Sequence, residues 1–276
     1  MRRASWWQWP TVLSIDAPVV AVLWQRLLAR PAGVSIEWGE TAVLALSVWL
    51  AYAADRWIEG WRLDAEVIRT PRHHFYQRHR WPVAALWLAA LAADVTIAFS
   101  RLSARDIAAG FVLIVAVAAY LLSHQLVHRH RAWRLPKELC VAALLTGGVV
   151  VFLVGRGDAG ALVMPAAWFA LLGFANCALI SVWEREVDRA HGQSSLALNA
   201  EGSERLIRQL PWMIAVLAAA SAVPAAGGGR DVSVTVAASA VLLAVVDAVE
   251  RRIGRQPARV LADVALMTPI VTLVMR

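Results

Sequence analysis

Residues 39–61, GETAVLALSVWLAYAADRWIEGW, and residues 160–188, GALVMPAAWFALLGFANCALISVWEREVD, decide how this chain is read. Each stretch stays apolar over a length that can cross a bilayer, then closes on two carboxylates: Asp55 and Glu59 in the first, Glu184 and Asp188 in the second. The spacing i,i+4 puts both side chains of a pair on one helical face, about 6 Å apart along the axis. Ionised carboxylates are costly at the edge of hydrocarbon unless they are paired, hydrated or metal-bound. Two such pairs at two membrane boundaries therefore mark a candidate functional site.

The rest of the chain has the same character. Of 276 residues, 59% are hydrophobic and 17% charged, and the mean hydropathy is +0.57. A water-soluble core needs less apolar matter than this. Stretches of roughly 20 residues, the length that crosses about 30 Å of hydrocarbon, fall near 11–30, 39–61, 82–100, 106–126, 136–155, 160–183, 206–224, 232–249 and 258–275. The expected fold is all-α: a polytopic membrane protein of about nine transmembrane helices forming a single domain over residues 1–276. Charges, Pro and Gly mark the joints, as at Arg30–Pro31, Trp81–Pro82 and Gly155–Arg156–Gly157. The first apolar stretch lacks a small-residue cleavage site and reads as a span rather than a secretory signal. Cys140 and Cys177 lie inside apolar stretches and imply packing rather than a disulfide framework.

An odd number of spans puts the termini on opposite sides, and 20 of the 27 Lys and Arg residues then fall on the side that holds the N-terminus. By the positive-inside rule that side is cytoplasmic, together with both acidic pairs and the loops that follow them. The net charge of +7 then reads as topology and attraction to the lipid bilayer, and no nucleic-acid partner is implied. Trp6, Trp7, Trp9, Trp57, Trp61, Trp81, Trp133, Trp183 and Trp212 gather near the same boundary, where indole rings anchor a chain at the interface.

After the first acidic pair comes WRLDAEVIRTPRHHFYQRHRW, residues 61–81, rich in Arg and His. Guanidinium groups grip phosphate in a fork, and Mg²⁺ prefers carboxylate and phosphate oxygens with retained water. A basic loop beside two carboxylate pairs therefore suits a diphosphate held through Mg²⁺. The alternative is ordinary helix-end ion pairing, because Glu59 and Arg62 are i,i+3 and Glu184, Arg185, Asp188 and Arg189 alternate in sign.

These residues resemble the UbiA superfamily of intramembrane prenyltransferases. That family carries an Asn-x-x-x-Asp-x-x-x-Asp motif after its second span and an Asp-x-x-x-Asp motif after its sixth, in a nine-helix fold with a cytoplasmic active site. Ala51, Asp55 and Glu59 stand at the three positions of the first motif, followed by Gly60. Glu184 and Asp188 stand in the second, with Gly192 and Ser195 placed as in the family. The stretch from Tyr120 to Lys137–Glu138–Leu139 and Gly147–Gly148 is similar to the family's fourth and fifth spans. The chain departs from the pattern at Ala51, which replaces the Asn, at the two Glu positions, and in a loop that reads Arg69–Thr70–Pro71–Arg72–His73–His74–Phe75.

The resemblance implies transfer of an isoprenyl group from a Mg²⁺-bound prenyl diphosphate to an acceptor in or near the membrane. It also implies a bacterial inner membrane as the location. Asp55, Glu59, Glu184 and Asp188 would be the catalytic, metal-holding acids, and Arg69, Arg72 and Arg185 would bind the diphosphate. Trp57, Phe75, Tyr76 and Tyr120 are candidates to face an allylic cation, with interface or core packing as the alternative. The second function compatible with the sequence is a non-catalytic membrane protein of the same fold that binds an isoprenoid or lipid.

Other polar residues invite structural roles. His124 and His128 are i,i+4, but two ligands do not close a metal site. Asp247 with Arg251, and Arg259 with Asp263, are spaced to pair along their own helices, and Asp94 lies within the third apolar stretch. No repeat or matched pair of broken helices points to a transporter.

Overall fold

The computed structural model describes residues 5–62, 70–123, 136–192, 194–199, 202–225 and 227–275, and every regular element among them is helical. A 3-10 turn, Trp6–Gln8, leads into α1 (Trp9–Val12) and α2 (Asp16–Ala29). There follow α3 (Trp38–Arg62), α4 (Pro71–Arg78), α5 (Arg80–Arg101), α6 (Ala104–Leu122) and α7 (Lys137–Val150). The second half holds α8 (Ala159–Trp183), α9 (Arg185–Ala190), α10 (Leu196–Asn199), α11 (Glu204–Ala222), α12 (Gly227–Ile253), α13 (Arg255–Ala265) and α14 (Pro269–Val274).

Helices occupy all nine apolar stretches, while length and hydropathy single out five that can cross a membrane: α5, α6, α8, α12 and Arg255–Val274. A sixth is added if Trp6–Val12 and Asp16–Ala29 are taken together across a 72° bend. The remaining three lie outside that count for visible reasons. Helix α3 carries Glu40, Asp55, Arg56 and Glu59, α7 is only 14 residues long, and α11 opens on Glu204, Arg205 and Arg208.

Two stretches that read as continuous are broken. Between α1 and α2, Ser14 sits at φ 57, a backbone conformation that ends a right-handed helix. Between α13 and α14 the chain turns over Leu266–Thr268 before Pro269, which lacks the N–H needed to continue the ladder. The carbonyl freed at Leu266 accepts from Trp24 Nε1 at 2.8 Å.

The core runs along α2, α8 and α12. Trp24 is fully buried and packs on Phe169 with ring centroids 4.8 Å apart. Ala175 and Ala178 on α8, Ala240 on α12, and Ala258 and Ala262 on α13 are also buried, and such small side chains let helix backbones approach closely. Helices α5 and α6 bury little of themselves and present Leu86, Leu88, Phe99, Phe111, Val112 and Ile114 outward. An apolar surface of that extent is suited to lipid.

Polar contacts sort into two ends. At one end Arg30 faces Asp231 at 3.8 Å, Arg156 meets Glu40, and Arg105 Nη1 donates to the Gly155 carbonyl at 2.9 Å. At the other lie the contacts of Glu59, Arg72, Lys137, Glu184, Asp188 and Arg208.

Candidate functional site

The site is assembled from the ends of α3 and α8 with α4 between them. Pro71 opens α4, and the residue before a proline is pushed out of the helical region. Thr70 accordingly sits extended at φ −121 and ψ 145. The first turn of α4 then carries Arg72 and His73 side by side, and each reaches a different acidic motif.

His73 Nε2 lies 2.7 Å from Glu59 Oε2, and its Nδ1 lies 2.5 Å from the Thr70 hydroxyl. The imidazole is 1% exposed. Burial lowers the His73 pKa to about 4, against the pull of Glu59 and with the charges of Arg72 and Arg56 acting in the same direction as burial. The ring is therefore neutral at pH 7: Nε2–H donates to Glu59, and Nδ1 accepts from Thr70. His191 stands edge-on to the ring at 5.2 Å.

Arg72 Nη2 donates to Glu184 Oε2 at 3.1 Å, and Arg259 Nη1 from α13 donates to the same oxygen. Burial opposes ionisation of Glu184, but the guanidinium groups of Arg259 and Arg72 outweigh it and hold the carboxyl well below the usual carboxylate range. Arg72 moves the other way. Burial, with the like charge of Arg259 behind it, lowers its pKa to about 10 despite Glu184. Two cations thus share one anion in a poorly hydrated place.

The two acids of the second motif part company. Helix α8 stops at Trp183, Glu184 caps the restart, and one helical bond, Asp188 N–H to the Glu184 carbonyl at 2.9 Å, spans the joint. Asp188 is buried and faces Lys137 Nζ at 3.8 Å and the Ser195 hydroxyl. Burial raises its pKa, with Lys137 opposing. Nearby, Glu138 Oε1 accepts from Leu196 N–H at 3.0 Å, which ties α7 to α10.

Of the expected site residues, Glu59, Arg72, Glu184 and Asp188 are drawn into these pairs. Asp55 is half-buried one turn before Glu59, and both act electrostatically on Tyr120 of α6. Arg185 follows Glu184, its Nε buried and without a hydrogen-bond partner among the described residues. Arg69 and His124, His128 and His130 lie outside the described residues. Among those described, no group of three or more His, Cys, Asp or Glu side chains gathers at metal-holding spacing.

Several expected pairings are corrected. Glu184 finds its partners on other helices rather than in Arg185 or Arg189, because burial at the α8–α9 joint turns it inward. Arg259 reaches Glu184 instead of closing on Asp263. Asp247 pairs with Arg208 of α11 and accepts from Trp183 Nε1 at 2.9 Å, leaving Arg251 exposed. Trp183 is therefore a buried residue rather than an interface anchor. Arg259, Lys137 and Arg56 were not singled out for this site on sequence grounds. The available signal was a basic side chain at the edge of an apolar run, which needs a partner when buried. No family model, curated protein or solved structure matches this chain.

Proposed function

We propose that the chain is a UbiA-like prenyltransferase, a nine-helix bundle in a bacterial inner membrane that moves an isoprenyl group from a diphosphate donor to an acceptor in or near the bilayer. One observation carries the proposal: adjacent residues of α4, Arg72 and His73, contact one acidic motif each, at 3.1 Å to Glu184 and 2.7 Å to Glu59. Motifs far apart in the sequence, and similar to the family's two, thereby meet at one end of the bundle with arginine between them.

The donor set fits Mg²⁺ in part. That ion takes one or two carboxylates together with phosphate oxygens and water, and Asp55, Glu59 and Asp188 are the carboxylates that could contribute. Glu184 does not fit that role, because one of its oxygens already accepts from two arginines. Bound Mg²⁺ would neutralise charge on the departing diphosphate. Arg72 orients the donor and Arg185 adds charge, while the apolar walls of α3 and α8 exclude bulk water.

The second reading, a non-catalytic isoprenoid or lipid binder of the same fold, is favoured by Ala51, whose methyl group supplies no ligand where the motif has an amide. Diphosphate release from prenyl diphosphates of several chain lengths, with purified full-length protein and with and without Mg²⁺, separates the two. Release that is lost in Asp55→Asn and Asp188→Asn supports the transferase. Isoprenoid binding without release from any donor supports the binder.

A further inference from the structure

Arg72 and Arg259 come from different helices and converge on a single oxygen of Glu184. A guanidinium carries five N–H donors, so two of them meeting at one carboxylate oxygen leave donor capacity unused. The Nε atoms of Arg72 and Arg259 are buried with no hydrogen-bond partner among the described residues, and the same holds for Arg56 and Arg185. A buried N–H without a partner costs about 1–3 kcal/mol. Four at one end of one bundle call for an explanation, and an anion or water bonded there would supply one. The depressed pKa of Arg72 has the same origin: burial first, then the nearby charges of Arg259 and Arg56.

We infer that Glu184 acts as a positioning residue for a two-armed guanidinium clamp, Arg72 and Arg259, which binds the donor's diphosphate without requiring a metal ion. This rests on the proposed donor site and changes how that site works. The second acidic motif holds arginines, and Arg259, which belongs to neither motif, contacts phosphate directly. Two arginine forks on neighbouring phosphoryl groups satisfy the orphaned N–H groups and relieve the repulsion between the two cations.

The test is calorimetric binding of inorganic pyrophosphate to the full-length protein in detergent, in EDTA and in Mg²⁺. The expected result is binding in EDTA within about threefold of that in Mg²⁺, weakened at least tenfold, about 1.4 kcal/mol, by Arg259→Gln. Arg259→Lys keeps the buried charge beside Glu184 but loses the fork, and should weaken binding to a lesser extent. It is the deciding variant if Arg259→Gln does not fold. Glu184→Gln should weaken binding in EDTA, and Glu184→Asp should restore part of it, whereas a metal ligand would move only the Mg²⁺ arm. Binding by the parent that needs Mg²⁺ overturns the clamp and leaves the donor-site proposal standing. Binding in EDTA that is unchanged in both Arg259 variants overturns it as well. Absence of binding under both conditions sinks the donor site, and the clamp with it.

Discussion

Acidification should destabilise this protein through His73, and the His73→Gln variant should remove that part of the sensitivity. The imidazole is buried and its pKa is lowered from 6.5 to about 4. In the unfolded chain the ring takes up a proton as the pH falls through 6.5, and in the folded protein it does so only near 4. Between those values the unfolded state binds more protons, so stability is complete above pH 6.5 and declines as the pH drops. The full difference is on the order of 3 kcal/mol, of which about 2 kcal/mol is lost by pH 5. At about 2–4 °C per kcal/mol for a chain of this size, the unfolding midpoint should fall about 4–8 °C between pH 7.5 and pH 5 from this residue alone. Glutamine places an amide donor near Glu59 and does not titrate, so its profile over the same range should be flatter by that amount. Tryptophan fluorescence during heating in detergent provides the measurement. Carboxylates that His73 does not touch titrate alike in both proteins and cancel in the difference. Parallel profiles for parent and variant would show that the imidazole is not held neutral by burial, and the proton arrangement assigned to Thr70, His73 and Glu59 would have to be abandoned.

Other outcomes can be checked alongside. Gly157→Ala should destabilise the protein by about 1–3 kcal/mol, as overpacking does, since a Cβ there would lie 2.0 Å from the Ala32 carbonyl oxygen; an unchanged melting point would show that this turn yields freely. Trp24→Phe removes the donor to the Leu266 carbonyl and should cost about 1–3 kcal/mol for the acceptor left unpaired, read as a lower unfolding midpoint. Cysteine in place of Gln77 should react only with thiol reagents that reach the cytoplasm, and labelling from outside intact cells would reverse the assigned orientation. Ala51→Asn adds an amide oxygen one turn before Asp55; if the metal end of the site is weak for want of that ligand, Mg²⁺ affinity or diphosphate release should rise, and no change in either would assign the position to packing.

Much of this architecture follows from local chemistry. The apolar runs are helices because a backbone surrounded by apolar matter must satisfy its own hydrogen bonds, and that holds for residues 39–61 or 160–183 whatever their neighbours. The punctuation was equally local. Pro71 starts α4 and Pro269 starts α14. The break at Ser14 was not evident, because no proline or glycine stands there and the left-handed backbone is held by contacts such as its hydroxyl to Tyr76 at 3.2 Å. The pairing of charges was the least accessible feature. Spacing suggested Arg259 with Asp263 and Asp247 with Arg251, neighbours on a single helix. Folding instead sent Arg259 to Glu184 and Asp247 to Arg208. A one-dimensional pattern states which residues can meet along one helix, since the 3.6-residue turn is the same everywhere. Which charge is buried, and against which distant partner, depends on how whole helices pack, since a desolvated ion takes the partner that the packing brings to it.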